Sequence, residues 1–293
     1  MRACLVFLQN GTGSESGFMA SDLHTHTSFS DGRLTPEELV AAAKGAGLSY
    51  LAITDHDTVD GIRHLYEQGL YPSKTLHIIP GIEFSCEVDE HDVHILGYDF
   101  DIYNQELAEK VTEIAESRWE RFSTMVGKLH GLGYDITESD VLQIAGTSKS
   151  IGRAHVARAL VKKGLVSSIR DAFEKLLDFG QPGYVPHYRL EPEEAVALIR
   201  NAGGVPVLAH PKLVKDDKIV ERMLELDFGG IEAYYPRHDE EDTARYLAMA
   251  KARGLRVTGG SDFHGIPQRE PSELGVFVVD DELAAPLFHP PQN

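Results

Sequence analysis

Six short stretches carry side chains that could bind metal ions. "SDLHTHTSFSDG" (21–32) holds His24, His26 and Asp31, "TDHDT" holds His56, and "PGIEFS" holds Glu83. "HDVHILG" adds His94, "VLAHP" adds His210, and "GGSDFH" adds Asp262 and His264. A His-x-His pair is weak by itself, and a lone histidine at a strand end more often makes a hydrogen bond than a metal bond. If Ser21–His26 is a strand, however, alternate side chains share a face, and both rings point the same way. Imidazole and carboxylate without thiolate suit Mn, Zn or Fe rather than a calcium cage or a Cu(I) site. Nine ligands are too many for one ion. Two or three divalent ions, with open positions for water and substrate, accommodate them.

The elements between these stretches explain how they could meet. From residue 21 to about 98 short apolar strands alternate with helices. "TPEELVAAAKGAG" reads as a helix with Thr35 as N-cap, Pro36 at the first position, Glu38 closing a capping box and Gly47 past its end. "YLAIT", "LHIIPGIEFSCEV" and "HDVHILGYDF" read as further strands. From Asn104 the apolar spacing becomes helical, so residues 101–186 are expected to form an all-helical insertion domain. Alternation resumes after it, with strands at "VPVLAH", "GGIEAYY" and "RVTGGSDFH". The fold expected is α/β: about seven strands in barrel-like order, built from residues 21–100 and 187–293, with the first 20 residues a flexible segment. In parallel α/β barrels the carboxyl ends of the strands converge on one mouth. Ligands far apart in sequence then become neighbours.

The chain has 293 residues and a net charge of −18, which argues against a clamp for long nucleic acid but leaves room for a small anion at a local positive site. No run is long enough for a membrane span, and no surface for a partner protein is apparent. Cys4 and Cys86 are the only cysteines, which points to a reducing cytoplasm and no disulfide framework. Residues 1–18 read as a linker or an upstream start.

"DLHTHTSFSDG", "LAITDHDTVDG", "PGIEFSC", "VHILGY", "LAHP" and "GSDFH" resemble, in order, the motifs of the PHP (polymerase and histidinol phosphatase) superfamily of metal-dependent phosphoesterases. The helical insertion resembles the branch with nucleoside 3′,5′-bisphosphate phosphatases and short-RNA 5′→3′ exonucleases. The resemblance implies a distorted (β/α)7 barrel and a two- or three-metal site. By motif, His24, His26, Glu83 and Asp262 would hold one ion, and Asp31, His56 and His264 a second. Glu83 would bridge to a third, completed by His94 and His210. Manganese is the ion first expected, with zinc or iron as alternatives. A water deprotonated between the ions would attack phosphorus while the ions neutralise the phosphoryl oxygens.

Substrate choice would come from the insertion. "SIGRAHVARAL" places Arg153, His155 and Arg158 at a helix start, where guanidinium groups could clamp a second phosphate, although the five-residue gap sets the two arginines well apart around an ideal helix. Tyr235 and His238 in "EAYYPRHDEED" follow a strand and could line the same mouth, a tyrosine stacking on a base. His187, just after the insertion, is a further candidate. The leading expectation is release of one phosphate from a small bisphosphorylated nucleotide. Short-RNA exonuclease, histidinol-phosphate phosphatase and a non-catalytic metal-stabilised module are the alternatives.

Overall fold

The computed structural model describes residues 20–71, 75–186, 188, 190–267 and 269–289. His187, Cys4 and the expected linker at 1–18 lie outside the described residues. The elements, in order, are β1 (Ala20–Asp22), α1 (Pro36–Gly45), β2 (Leu48–Ile53), α2 (Asp60–Glu67), β3 (His77–Val88) and β4 (His91–Tyr98). Helices α3 (Gln105–Gly131), α4 (Glu138–Ala145), α5 (Arg153–Lys162) and α6 (Ile169–Ala172) follow, with a π-helical turn at Phe173–Leu177. The chain then continues through α7 (Pro192–Asn201), β5 (Val205–Leu208), α8 (Asp217–Met223), β6 (Gly230–Tyr234), α9 (Glu240–Arg253) and β7 (Arg256–Gly259). It ends in β8 (Val279–Asp280) and α10 (Asp281–Ala284).

The local rules are obeyed where they were strongest. Thr35 and Glu38 form the expected reciprocal capping box on α1, and Gly47 takes positive φ just past the helix end. Asp239 and Asp242 do the same for α9.

The strands lie in the order β7-β6-β5-β4-β3-β2-β1-β8. A bridge between Thr25 and Phe263 brings the segment after β1 to the segment after β7, so that the sheet nearly closes into an eight-stranded barrel. Two strands differ from the parallel expectation. β4 runs antiparallel to both β3 and β5, and the short β8 pairs antiparallel with β1. The cause at β4 is its connection: only Asp89 and Glu90 join β3 to β4, both with positive φ, and a two-residue turn of that geometry makes a hairpin. The regular pairing of β1 also stops at Asp22, earlier than expected, because the Asp22 carboxylate takes the amides of His24 and Ser261.

Buried Leu, Ile and Val residues of β2–β6 pack against the helices in one cluster, and Leu107, Val111 and Ile114 of α3 belong to it. The second half of α3 (Phe122, Met125, Val126 and Leu129) packs in another cluster with α4, α5 and α6. Among the described residues no helix is long and apolar enough to cross a membrane.

Candidate metal centre

All nine expected ligands converge at one end of the barrel. His24 and His26 follow β1, with ring centroids 5.3 Å apart, and are fully buried. The His26 ring stacks on His264 at 4.0 Å. Gly260, just past β7, lets this segment approach His24: a Cβ there would stand 2.4 Å from both the Cβ and the amide nitrogen of His24. Glu83 is the centre of the arrangement. Its Oε2 lies 3.2 Å from His24 Nε2, His26 Nε2 and His56 Nδ1, while Oε1 lies 2.7 Å from His94 Nδ1 and 3.0 Å from His210 Nε2.

Three groups have the spacing of a metal site: His24, His26, Glu83 and Asp262; His26, Asp31, His56 and His264; and His56, Glu83 and His94. His26 and His56 each stand between two groups, one ring nitrogen facing Glu83 and the other facing Asp31. His94 arrives unexpectedly. It lies in the first half of β4 rather than at a carboxyl end, and reaches the mouth because that strand runs backwards.

Seven of the possible metal-binding atoms have no other occupation. His24 Nε2, both nitrogens of His26, Asp31 Oδ1, His56 Nδ1, Glu83 Oε2 and His264 Nε2 are buried without a hydrogen-bond partner. Burying such unpartnered nitrogens and oxygens is costly unless something that bonds to them fills the space, and divalent cations fit this set of imidazoles and carboxylates. Burial opposes ionisation of Glu83, but the charges of His56, His24 and His94 hold its carboxyl well below the usual carboxylate range. His26 moves the other way, to about 9: burial disfavours its charge, and the neighbouring Asp262 and Glu83 carboxylates outweigh that. A proton and a metal ion therefore compete for the same nitrogen.

Beside this cluster opens a cavity of about 780 Å³. Asp31, His56 and His94 line it together with Arg118, Arg121, Arg153, Arg158, Arg170, Arg237 and Arg269, and Glu174, Asp178, Glu270, Ser150 and Phe173 are also among its lining residues. The net-acidic chain thus concentrates seven guanidinium groups around one hollow. Burial pushes Arg121 down to about 9, helped by Arg153 and Arg118, and one terminal nitrogen of Arg121 is buried without a partner.

The PHP domain family matches residues 22–185. The chain belongs to the PHP domain family. It is 34% identical to the 3′,5′-nucleoside bisphosphate phosphatase of Chromobacterium violaceum, over 92% of this chain and 94% of that protein. It is also 34% identical to the 5′-3′ exoribonuclease Rnm of Escherichia coli, over 83% and 84% of the two chains. A solved structure from Bifidobacterium adolescentis, assigned as a metal-dependent phosphoesterase, superposes with a TM-score of 0.81 at 31% identity, covering 93% of this chain and 96% of that one. This PHP chain is a metal-dependent phosphoesterase, a hydrolase of phosphoric ester bonds.

Several expected substrate contacts in the PHP chain have partners within the protein. His155 does not line the cavity: its Nδ1 accepts from Gly152 N at 3.1 Å and its Nε2 donates to Ser30 O at 3.0 Å, so both nitrogens tie α5 to the loop carrying Asp31. Tyr235 is buried, and its hydroxyl donates to Asp262 Oδ2 at 2.9 Å instead of offering a stacking face. His238 turns Nδ1 to Ala233 O at 2.9 Å and packs between Tyr235 and Tyr246. Arg153 and Arg158 do reach the cavity, although Arg153 pairs with Asp92 at 2.9 Å and Arg158 donates to Asp31 O at 3.2 Å.

Sequence reasoning missed the residues that hold the ligands. Glu232 is fully buried; Oε1 takes His24 Nδ1 at 3.0 Å and Oε2 takes His210 N at 2.8 Å. Arg269 reaches Asp262 Oδ2 at 3.1 Å. A glutamate inside the apolar strand "GGIEAYY" was the available signal for Glu232; nothing local marked Arg269. Backbone conformation adds a further mark: His210 and Asp262 both hold positive φ, which non-glycine residues adopt mainly where their surroundings demand it.

Proposed function

We propose that this PHP phosphoesterase removes one phosphate from a small nucleotide carrying two, such as a nucleoside 3′,5′-bisphosphate. The single observation that carries this reading is the cavity: metal-ligand residues and several arginines line the same hollow, so that one substrate can offer an anion to each.

His24, His26, Glu83 and Asp262 would hold one divalent ion, and Asp31, His56 and His264 a second. Glu83 would be shared with a third, held also by His94 and His210. Seven buried donor atoms without partners support this assignment. Manganese is the ion we take first, with zinc or iron the alternatives of the same ligand class. When bound, such ions supply Lewis acidity toward the phosphoryl oxygens and a water of lowered pKa.

The chain's own residues then divide the remaining work. Arg153 and Arg158, at the start of α5, and Arg121 on α3 would take the phosphate that is not cleaved, because a guanidinium fork suits its oxygens. Phe173 would offer an apolar face beside them. The helical segment 101–186, which we read as a separate specificity domain on the barrel, contributes most of this wall. Tyr235 and Arg269 keep Asp262 in place, and Glu232 keeps His24 in the tautomer with Nε2 free. Cytoplasmic residence fits a protein with so few cysteines.

A second reading has its own support. Arg170 and Arg237 also line the cavity of about 780 Å³, room that a short 5′-phosphorylated RNA would use. The experiment is phosphate or nucleotide release with added Mn²⁺ from adenosine 3′,5′-bisphosphate, AMP, histidinol phosphate and a short 5′-phosphorylated RNA, each with and without chelator. Chelator-sensitive preference for the bisphosphate is the expected result. Preference for RNA selects the second reading, and preference for histidinol phosphate removes the arginine-wall argument.

A further inference from the structure

Helix α3 belongs to two packing units. Leu107, Val111 and Ile114 sit in the barrel's cluster, and Phe122, Met125, Val126 and Leu129 in the other. Arg118 lies at the crossing, and it is buried.

Its guanidinium binds two partners and stands beside a third residue. Nε donates to Asp57 Oδ2 at 2.8 Å and NH2 reaches the same oxygen. NH2 also donates to Ser85 Oγ at 3.0 Å. Asp57 returns the grip, since its Oδ1 accepts from Ser85 N at 2.9 Å and its own amide donates to Glu83 O at 3.0 Å. NH1 stands close to Gly152, the residue that caps α5: a Cβ there would lie 3.0 Å from it.

These partners sit next to metal-site residues. Asp57 follows His56 and holds positive φ; Ser85 lies two positions beyond Glu83 and pairs with His94 across the hairpin. One side chain therefore fixes the backbone around His56, Glu83 and His94, and simultaneously abuts the helix start that carries Arg153 and Arg158.

We infer that Arg118 is a positioning residue that sets the span between the His56–Glu83–His94 subsite and the arginine wall at the start of α5. The inference rests on the metal and phosphate reading proposed above. It requires arginine rather than lysine. Only a planar fork binds Asp57 and Ser85 in fixed directions while its remaining nitrogen stands beside Gly152, and an ammonium offers one point. The pair is also shielded from water, so removing one partner leaves the other charge uncompensated.

The test counts metal ions. Metal-free wild type, Arg118→Lys and Asp57→Asn are titrated with Mn²⁺, bound ions are counted after desalting, and thermal melts are run in parallel. Turnover of adenosine 3′,5′-bisphosphate is measured on the same samples. Folded Arg118→Lys should hold one ion fewer than wild type and lose at least tenfold in kcat, with KM changing less than threefold. An unchanged ion count with only KM raised makes Arg118 a simple substrate contact and overturns the inference. If Arg118→Lys does not fold, Asp57→Asn decides in the same way: a lost ion supports the inference, and a full count overturns it. Wild type that binds no Mn²⁺ removes the proposed metal centre itself, and this inference with it.

Discussion

The hydroxyl of Tyr235 and the guanidinium of Arg269 both donate to the same oxygen of Asp262, Oδ2, at 2.9 and 3.1 Å. That leaves Oδ1 to face His26 and His264 at 3.3 Å each. Burial holds the Tyr235 phenol well above its ordinary pKa, so it remains a donor. Asp262 can then offer a metal one oxygen in one direction. Tyr235→Phe should weaken Mn²⁺ binding by about tenfold, the scale of one hydrogen bond to a charged group, with little change in melting temperature. Unchanged affinity in a Mn²⁺ titration would show that Arg269 alone suffices.

Glu232 accepts two hydrogen bonds, one from His24 and one from the His210 amide. Glu232→Gln keeps the shape but has only one acceptor oxygen, so an NH2 group must face one of these donors. The expected cost is about 10- to 100-fold in metal affinity or activity, as for other groups behind metal-bound histidines. Metal content against free Mn²⁺ measures it directly.

Removing the metals should destabilise the fold as well as stop turnover, because seven donor atoms are buried there without partners. Saturation at about 100 times the dissociation constant contributes about 2.7 kcal/mol per ion. Chelation should therefore lower the melting temperature by about 5 °C or more, and Mn²⁺ should restore it. A melting temperature indifferent to chelator would count against the metal assignment.

The arginine wall predicts a split between substrates. Arg121→Met and Arg158→Ala should each raise KM for adenosine 3′,5′-bisphosphate by about tenfold or more, the scale of a charge-assisted hydrogen bond. KM for a simple phosphate monoester such as p-nitrophenyl phosphate should move little. Equal effects on both substrates would remove the second-phosphate clamp.

His155 supplies a pH dependence. Burial lowers its pKa from 6.5 to about 4, so the folded protein keeps it neutral where the unfolded chain would protonate it. Its contribution is complete above pH 6.5 and is lost as pH falls from 6.5 toward 4, by about 2 kcal/mol at pH 5. Denaturant melts at pH 7.5 and 5 should show a steeper loss for wild type than for His155→Gln. Parallel losses would mean that His155 is not the group responsible.

Much of the chemistry was legible in the sequence. Ligand types, the α1 capping box and the helical nature of residues 105–162 follow from side-chain chemistry and periodicities that act within a few residues. His24, His26, Asp262 and His264 could be named because they sit in short motifs at strand ends. What tertiary structure alone decided depends on contacts across long separations. The His24–Glu232 pair spans 208 residues and the Arg118–Asp57 pair 61. Reversal of β4 came from two left-handed residues, Asp89 and Glu90, whose side chains give no strong turn signal, and it alone brings His94 to the mouth. Tyr235, His155 and His238 have types that could touch substrate. Packing turned each toward a partner inside the protein, because a buried polar group must find one.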